Sequence, residues 1–352
     1  MSMGFRPTDD DRALVAGMRG LLAARFPRER LRALVDDQRG AESTCRDLWR
    51  TLGDAGFFAL RLPEERGGAG LGTAEAALLF EEAGRALVPG PLVATHLAAG
   101  LVPGAADGAR IVTAVDRPGP AEHLASADAV LLLDGRAARL LDVGAGGGPR
   151  ALDAGALRSV DPATPLHRVP CLPAAPAGEA LDVVGGAARL RREATVLTAA
   201  LQLGSAARTV EMAVAHARHR TQFGRPIGAY QAVQHLCADM RVRWEVARAA
   251  VHAAALTGDP ADIAGAKLLA DSAAMGNARD CLQIHGGLGF TWAADVHLHL
   301  KRAWIRAGQW QSAGEAEEFL ANNLLMSDES GVPSDVLTEG RMEKMSGRNR
   351  HG

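Results

Sequence analysis

The stretch Ala217-Arg-His-Arg-Thr-Gln-Phe-Gly-Arg-Pro-Ile-Gly228 separates two helical patterns and decides how the chain is organised. Gly224 and Pro226 break the helical pattern, because proline lacks a backbone N–H and glycine readily leaves helical geometry. Apolar residues recur three and four positions apart on both sides of this break, which predicts two long helices joined by a short turn. The two stripes are Leu197, Ala200, Leu201, Gly204 and Ala207, then Tyr230, Val233, Cys237, Met240, Trp244, Ala247 and Val251.

A second glycine-containing stretch follows a third predicted helix, which spans about Ile263 to Ile284. It reads Gln283-Ile-His-Gly-Gly-Leu-Gly-Phe-Thr-Trp292, with three glycines in four positions. Glycines allow backbone amides to approach a ligand closely, although helices also often end at glycine. The C-terminal half therefore predicts a bundle of long helices with two irregular segments.

The preceding part of the chain changes character twice. Residues 8 to about 100 carry helical spacing, interrupted by the proline- and glycine-containing loop at 61–70. Between about 108 and 175 the pattern becomes short runs typical of strands, and Asp134-Gly135 suits a tight hairpin. These runs are sufficient for a modest barrel or sandwich.

We therefore predict a mainly α protein with a small β domain. The predicted domains are an N-terminal helical domain (8–105), a reduced middle β-barrel (106–178) and a C-terminal four-helix bundle (179–326). Residues 327–352 contain few apolar side chains and are predicted to form a disordered tail.

Charge and composition exclude several classes of function. The 352 residues include 39 basic and 41 acidic side chains, a net charge of −2, which argues against nucleic acid as the main partner. No apolar run reaches the roughly 20 residues of a membrane span, and the N-terminus lacks a signal-peptide core. The four cysteines form no CxxC pair, so we expect reduced thiols in a cytoplasmic protein.

The break between the two long helices places polar side chains where they can leave the bundle. Arg220 suits bidentate binding of a phosphate, and Phe223 suits packing on an adenine ring or on a neighbouring helix. Composition alone favours the alternative interpretation, a well-capped interhelical turn.

Taken together, the motifs resemble the acyl-CoA dehydrogenase family over residues 8 to about 325. Any single motif is weakly specific, but they occur in the family's order and spacing. The matching residues are Leu52, Gly53, Gly56, Leu62-Pro-Glu64, Gly67-Gly68, Gly70, Glu81-Glu-Ala-Gly-Arg85, Arg220-Thr-Gln-Phe-Gly224, Gln231, Gln283, Gly286-Gly287, Gly289 and Phe290.

The resemblance implies a tetramer that binds FAD at an interface between subunits. Arg220, Gln222 and Phe223 of one subunit would contact the pyrophosphate and adenosine of a flavin held by a neighbour. Gln283, Gly286, Gly287 and Gly289 would do likewise. The implied reaction is α,β-dehydrogenation of an acyl-CoA thioester, with an electron-transfer flavoprotein as the electron acceptor.

The family's catalytic carboxylate has no clear counterpart in this sequence. Most members carry a glutamate about two dozen residues after the glycine-rich loop, but no carboxylate lies between Asp295 and Glu315. Other members place the base on the helix before the arginine turn, at the position of Ala194. Glu193 is adjacent and is our candidate base; the alternative is a solvated carboxylate at a helix start beside Arg191 and Arg192. Asp295 is a further candidate, with helix N-capping as its alternative role.

The β segment departs from the family pattern as well, since no Thr-Glu-Pro-x-x-Gly-Ser-like strand lines the flavin ring position. Some actinobacterial acyl-CoA dehydrogenases of sterol breakdown are α2β2 tetramers in which one subunit type lacks the base. The loop ending in Trp292 and the stretch His297-Leu-His-Leu-Lys-Arg-Ala303 resemble that branch. We hypothesise that this protein is such a subunit and completes a partner's FAD site; the alternative is a homotetramer that acts alone.

Two further functions stay open at this stage. One is a non-catalytic subunit for assembly and flavin retention. The other is an enzyme of different chemistry on the same scaffold, such as oxidation of a carrier-bound acyl group or hydration of an enoyl thioester. We predict no metal site, because His297 and His299 lie two residues apart and would face different sides of a helix.

Overall fold

The computed structural model describes residues 7–37, 46–173 and 177–329. The helices are α1 (Asp9–Arg25), α2 (Arg28–Asp36), α3 (Arg46–Asp54), α4 (Thr73–Arg85), α5 (Leu92–Ala98), α6 (Gly148–Ala151), α7 (Gly186–His219), α8 (Gln231–Thr257), α9 (Pro260–His285), α10 (Val296–Ala307) and α11 (Ala313–Glu329). The strands are β1 (Val112–Val115), β2 (Gly119–Glu122), β3 (Ala129–Asp134), β4 (Ala137–Asp142), β5 (Gly155–Leu157), β6 (Leu166–Val169), β7 (Glu179–Leu181), β8 (Thr221–Gln222) and β9 (Arg225–Pro226).

The order of helices, strands and helices confirms the predicted fold class. Helix α1 begins at a capping box, in which Thr8 and Asp11 exchange hydrogen bonds between side chain and backbone. The N-terminal helices bury Trp49, Phe57, Phe58 and Phe80 in one aromatic cluster. The long C-terminal helices, by contrast, bury mainly alanine and other aliphatic side chains.

The β part consists of two small sheets rather than one closed barrel among the described strands. One sheet has the order β1-β3-β4-β7 and the other β2-β6-β5. The predicted hairpin is confirmed, since β3 and β4 pair antiparallel from Ala129–Asp142 to Asp134–Ala137. Strand β7 joins the first sheet through β4, so the sheet extends past residue 178, where we placed the boundary.

The predicted long helices are confirmed as α7, α8 and α9, of 34, 27 and 26 residues. Helix α7 also packs closely on α4. A Cβ at Gly204 would lie 1.8 Å from the backbone oxygen of Glu81, and one at Gly84 would lie 2.0 Å from that of Leu201. The two backbones touch through paired glycines, which joins the N-terminal helices to the bundle.

The last helix reaches further than we predicted. Helix α11 continues to Glu329, three residues past the predicted end of the bundle at residue 326. The remainder of the predicted disordered tail, residues 330–352, lies outside the described residues. None of the helices in the described part of the chain is long and apolar enough to cross a membrane.

Candidate functional site

The arginine turn and the glycine-rich loop lie side by side at one end of the bundle. Helices α7 and α9 both finish there, and the rings of His216 and His285 stack with centroids 4.1 Å apart. His216 lies one turn before Arg220, and His285 directly precedes Gly286. The fold therefore brings together two segments that are separated by 54 residues in the sequence, 229–282.

The arginine turn holds its side chains outward on a defined backbone. Strands β8 and β9 pair across it, and Phe223 adopts a φ of +53° with its side chain 93% exposed. The Tyr230 hydroxyl donates to the Gln222 carbonyl oxygen at 3.4 Å, and the Arg225 guanidinium lies 4.2 Å from the Tyr230 ring centroid. A positive φ at a non-glycine residue is strained, so the turn presents Phe223 at an energetic cost.

Glycine is found at three positions of the loop for different structural reasons. Gly286 has φ +59° and ψ −142°, a conformation essentially restricted to glycine. At Gly289 an added Cβ would lie 2.9 Å from the Leu282 carbonyl oxygen, so packing inside the chain explains that glycine. At Gly287 the φ is ordinary and an added Cβ would meet nothing within 4 Å. Gly287 is therefore not required by the chain itself, which is typical of a position that something outside approaches.

This end of the bundle combines an exposed positive charge with exposed apolar side chains. Arg220 is exposed, and its guanidinium forms no hydrogen bond within the described residues. Burial is the main cause that lowers the pKa of His216, and electrostatic interactions with His285 and Arg220 lower it further. Phe223, Leu288 and Phe290 are all more than half exposed. An unpaired guanidinium beside uncovered apolar side chains suits a diphosphate and a planar ring bound at a seam between proteins.

A separate cleft of about 690 Å³ opens between the β part and the helices. Four of its residues lie on one face of α7, at positions 188, 191, 192 and 195. The lining residues are Asp116, Arg117, Ala188, Arg191, Arg192, Thr195, Pro260, Ile263, Trp310, Gln311, Glu315 and Phe319. The segment after α10, where the family places its usual glutamate, contributes tryptophan and glutamine here.

Arg117 ties one wall of this cleft to the other. Its guanidinium donates to Glu315 Oε1 at 2.5 Å and also to the Trp310 carbonyl oxygen. Trp310 adopts a φ of +63°, which is unusual for a bulky side chain. No motif in the sequence indicates Arg117, because a lone arginine between two short strands matches no functional pattern.

Beneath the same segment lies a charged cluster that sequence reasoning missed. Glu122 accepts a hydrogen bond from Gln309 Nε2 at 2.8 Å, and Asp161 pairs with Arg302 inside the protein. Burial raises the pKa of Glu122, whereas Arg302 lowers the pKa of Asp161 despite its burial. Arg306, buried beside Arg302, has its pKa lowered to about 9 by desolvation. These contacts fix the end of α10 against the β part.

The candidate base Glu193 points away from the cleft. Residues of a helix turn by 100° per position, so Glu193 lies on the face of α7 opposite Arg191 and Thr195. It forms a bidentate pair with Arg61, at 2.9 and 3.0 Å, and its side chain is only 14% exposed. The alternative role of Glu193, a solvated carboxylate at a helix start, is therefore wrong. The side chain is paired and mostly buried, and it lies about two turns after the first residue of α7.

Asp295 occupies the N-cap position of α10, but its side chain does not cap the helix. It pairs instead with Arg28 and Arg32 of α2. His297 stacks on Trp292, and the buried His299 hydrogen-bonds Ser205 at 2.8 Å, so the two histidines have separate surroundings. No cluster of three potential metal ligands occurs among the residues the structure describes.

The arginine turn and the cleft lie at opposite ends of α7. Thr195 and Arg220 are separated by about 37 Å along the helix axis, at 1.5 Å per residue. A single extended dinucleotide does not reach over that distance. Within one chain, the two regions are therefore too far apart to contact the same dinucleotide.

Comparison with known proteins gives consistent matches over most of the chain. Residues 8–107 match the acyl-CoA dehydrogenase N-terminal domain, and residues 179–309 match the C-terminal domain. The chain is 36% identical to acyl-CoA dehydrogenase IpdE2 of Mycolicibacterium smegmatis over 78% of this chain and 86% of that protein. It is 34% identical to IpdE2 of Mycobacterium tuberculosis, over 84% and 92% of the two chains.

A solved structure supports the same relationship. The ChsE4–ChsE5 complex from Mycobacterium tuberculosis superposes with a TM-score of 0.76 and 25% identity, covering 94% of this chain and all of the matched chain. The similarity to that structure therefore extends over most of the fold.

Proposed function

Because the chain belongs to the acyl-CoA dehydrogenase family, whose members are oxidoreductases acting on CH–CH groups, we propose that it takes part in FAD-dependent α,β-dehydrogenation of an acyl-CoA thioester. The observation that carries this proposal is the joint exposure of the arginine turn and the glycine-rich loop. Both segments face outward, with an unpaired guanidinium and open space in front of Gly286 and Gly287.

The residues at this end fit the diphosphate and adenosine part of FAD. Arg220 supplies the positive charge, Gln222 a side-chain amide and Phe223 an exposed ring. Gln283, Gly286 and Gly287 lie across the His216–His285 stack and complete the surface, and Gly289 supports it from within. When bound, the flavin supplies the acceptor for the β-hydrogen of the acyl group, which leaves as hydride.

The cleft of this chain does not fit the flavin ring in the same way. Arg117 crosses from the β part to Trp310 and Glu315, where the ring end of the site would open. We therefore propose that the flavin whose diphosphate this chain contacts has its ring held by a neighbouring subunit. The distance along α7 supports that assignment, since one FAD does not reach both regions.

The catalytic base is proposed to come from that neighbour. A base must reach the α-proton of the substrate, and Glu193 is paired with Arg61 on the far face of α7. No other carboxylate of this chain lies at either usual position. The partner is then a second acyl-CoA dehydrogenase subunit in an α2β2 tetramer, in keeping with the two-component ChsE4–ChsE5 complex. An electron-transfer flavoprotein is the proposed acceptor, and the cytoplasm the proposed compartment.

The proposal is tested by purifying the full chain alone and together with a dehydrogenase subunit encoded by a neighbouring gene. We expect the mixed complex to show flavin absorbance and to oxidise acyl-CoA thioesters in the presence of an artificial electron acceptor. The chain alone should be colourless. A yellow, active protein formed by this chain alone would contradict the mixed tetramer, and a colourless, inactive complex would contradict the proposal as a whole.

A second candidate, a subunit for assembly and flavin retention without catalysis at its own cleft, is favoured by the Arg117 contacts. In both candidates the reacting cleft is that of the partner, and the assembly candidate adds that this chain serves only to hold the flavin and the complex together. Substituting the carboxylate base of the partner subunit should abolish all activity if this chain's cleft is inactive. Residual turnover would place a second active site in this chain.

A further inference from the structure

The loop that follows Gly286–Phe290 is bound to the N-terminal helix α2. Three α2 side chains lie four residues apart on one helical face, namely Arg28, Arg32 and Asp36. Each contacts the segment between the glycines and α10. These contacts join positions more than 250 residues apart in sequence, so they belong to the tertiary fold and not to local turn geometry.

Arg28 forms the bidentate contact of this set. Its guanidinium is bidentate to the carboxylate of Asp295, with Nη2 to Oδ1 at 3.1 Å, and the same Nη2 donates to the Ala293 carbonyl oxygen at 3.3 Å. Bidentate arginine–carboxylate pairs fix orientation as well as distance. The Asp295 side chain is 16% exposed, so water screens the pair only in part.

Trp292 provides the second point of attachment. Its indole Nε1 donates to Asp36 Oδ1 at 2.5 Å, and the Arg32 guanidinium lies 5.5 Å from its ring centroid. On the α10 side, His297 stacks on the same ring at 4.9 Å and Lys301 Nζ lies 4.8 Å from its centroid. Trp292 is therefore held between α2 and α10, which gives a structural reason for a tryptophan and a histidine at these positions.

We infer that Arg28 and Asp295 are positioning residues for the glycine-rich loop. The contacts of α2 fix residues 292–295, and since the glycines immediately precede them, the contacts also set the position of Gly286–Phe290. This inference rests on the proposed function, in which that loop contacts the flavin nucleotide. Arg28 acts through Asp295 and touches no ligand itself.

The chain contains a matched control for this arginine. Arg19 of α1 is bidentate to Glu82 at 2.8 and 2.6 Å, and its side chain is 56% exposed, the same fraction as that of Arg28. Both arginines thus join an N-terminal helix to a less exposed carboxylate, but only Arg28 contacts the loop. Arg19→Gln and Arg28→Gln remove comparable ion pairs from the two places.

The experiment measures amide hydrogen exchange over residues 286–294 and the rate of FAD dissociation, both in the mixed complex. We expect Arg28→Gln to raise both rates roughly fivefold, the loss expected for one partly exposed pair. Arg28→Lys should recover most of the effect, because it retains the ion pair with Asp295. Arg19→Gln should leave both rates unchanged, although it lowers thermal stability similarly.

The outcomes separate this inference from the proposed function. A parent complex that retains no flavin contradicts the proposed function, and with it the positioning role. If the Arg28→Gln complex retains flavin as well as the parent complex does, the inference alone is overturned. Equal effects of Arg19→Gln and Arg28→Gln on flavin dissociation also overturn it, since they would indicate general destabilisation.

Discussion

The two ends of helix α7 differ in how their charged groups are paired. At its C-terminal end, Arg220 lies exposed beside uncovered phenylalanines. At its N-terminal end, Arg191 donates to the carbonyl oxygens of Gly135 and Leu133, and Arg117 is bound to Glu315. Arginines satisfied by their own chain stabilise a fold, whereas an arginine left unpaired on a rigid turn is available to a ligand or partner.

The comparison indicates a division of labour between the two regions. In the proposed function, the arginine turn and the glycine-rich loop contribute to a site that another subunit completes, whereas the cleft at the other end of α7 is crossed by contacts within the chain. The following predictions test this difference, beginning with the largest expected effect.

Arg220→Ala should weaken FAD binding by the mixed complex roughly tenfold to hundredfold, because a charge-assisted contact contributes about 1.5–3 kcal/mol. Flavin content after extensive buffer exchange, and the dissociation constant by titration, measure the effect. Arg218→Ala removes an exposed arginine two residues earlier and should have little effect. Equal losses in the two variants would show that net charge, and not the position of Arg220, attracts the nucleotide.

Gly286→Ala and Gly287→Ala should affect different properties. Alanine at Gly286 is strained by the positive φ, so we expect the free energy of unfolding to fall by about 1–3 kcal/mol. Alanine at Gly287 meets no atom of the chain, so stability should hold while FAD affinity decreases. Chemical denaturation and flavin titration of both variants check this. Unchanged flavin affinity in Gly287→Ala would argue against an approach by the nucleotide at that residue.

Acidic pH should destabilise the folded protein through its buried histidines. Burial is the main cause that lowers the pKa of His96 to about 4 and the pKa values of His123 and His299 to about 3. Between about pH 6.5 and those values the unfolded chain binds protons that the folded chain does not. The free energy of unfolding should therefore fall with decreasing pH, by about 1.4 kcal/mol per pH unit for each histidine.

Urea denaturation between pH 7 and pH 5 measures this slope. Because His299 hydrogen-bonds Ser205 inside the bundle, His299→Gln retains a polar side chain but no longer titrates. The variant should show a shallower dependence of stability on pH. A slope equal to that of the parent chain would mean that His299 does not contribute.

Arg117→Ala should produce the smallest change. Its side chain is 38% exposed, and exposed ion pairs contribute about 0–1 kcal/mol, so stability should change little. FAD affinity of the mixed complex should be unchanged, because we assign the flavin ring to the neighbouring subunit. A loss comparable to that of Arg220→Ala would show that both ends of α7 bind the cofactor, and the distinction between the two regions would fail.

Much of the fold could be read from the sequence because its signals are local. The spacing of apolar residues predicted α7, α8 and α9, and Asp134-Gly135 predicted the β3–β4 hairpin. The resemblance to the family was recognisable from the glycines and the arginine-containing turn, because few other residues can adopt the backbone conformations that glycine adopts. The locations of Arg220 and Gly286 on irregular segments were predicted for the same reason.

The charged contacts could not be predicted in this way. Nothing near Glu193 in sequence indicates Arg61, and nothing near Asp295 indicates Arg28. Their partners lie 132 and 267 residues away. From local sequence, we predicted a solvated position for Glu193 and a helix-capping role for Asp295 as alternatives to catalysis. In the structure both carboxylates instead form ion pairs with residues far away in the chain.

The sequence by itself determined which segments are helical, where they break and which family they belong to, because periodicity and glycine placement act over a few residues. The tertiary structure alone decided which charges are neutralised and which remain available, because pairing depends on distances between elements far apart in the chain. Arg117 and Arg220 are the same residue type near the end of a regular element, and only the packing of the helices makes one a structural contact and leaves the other exposed.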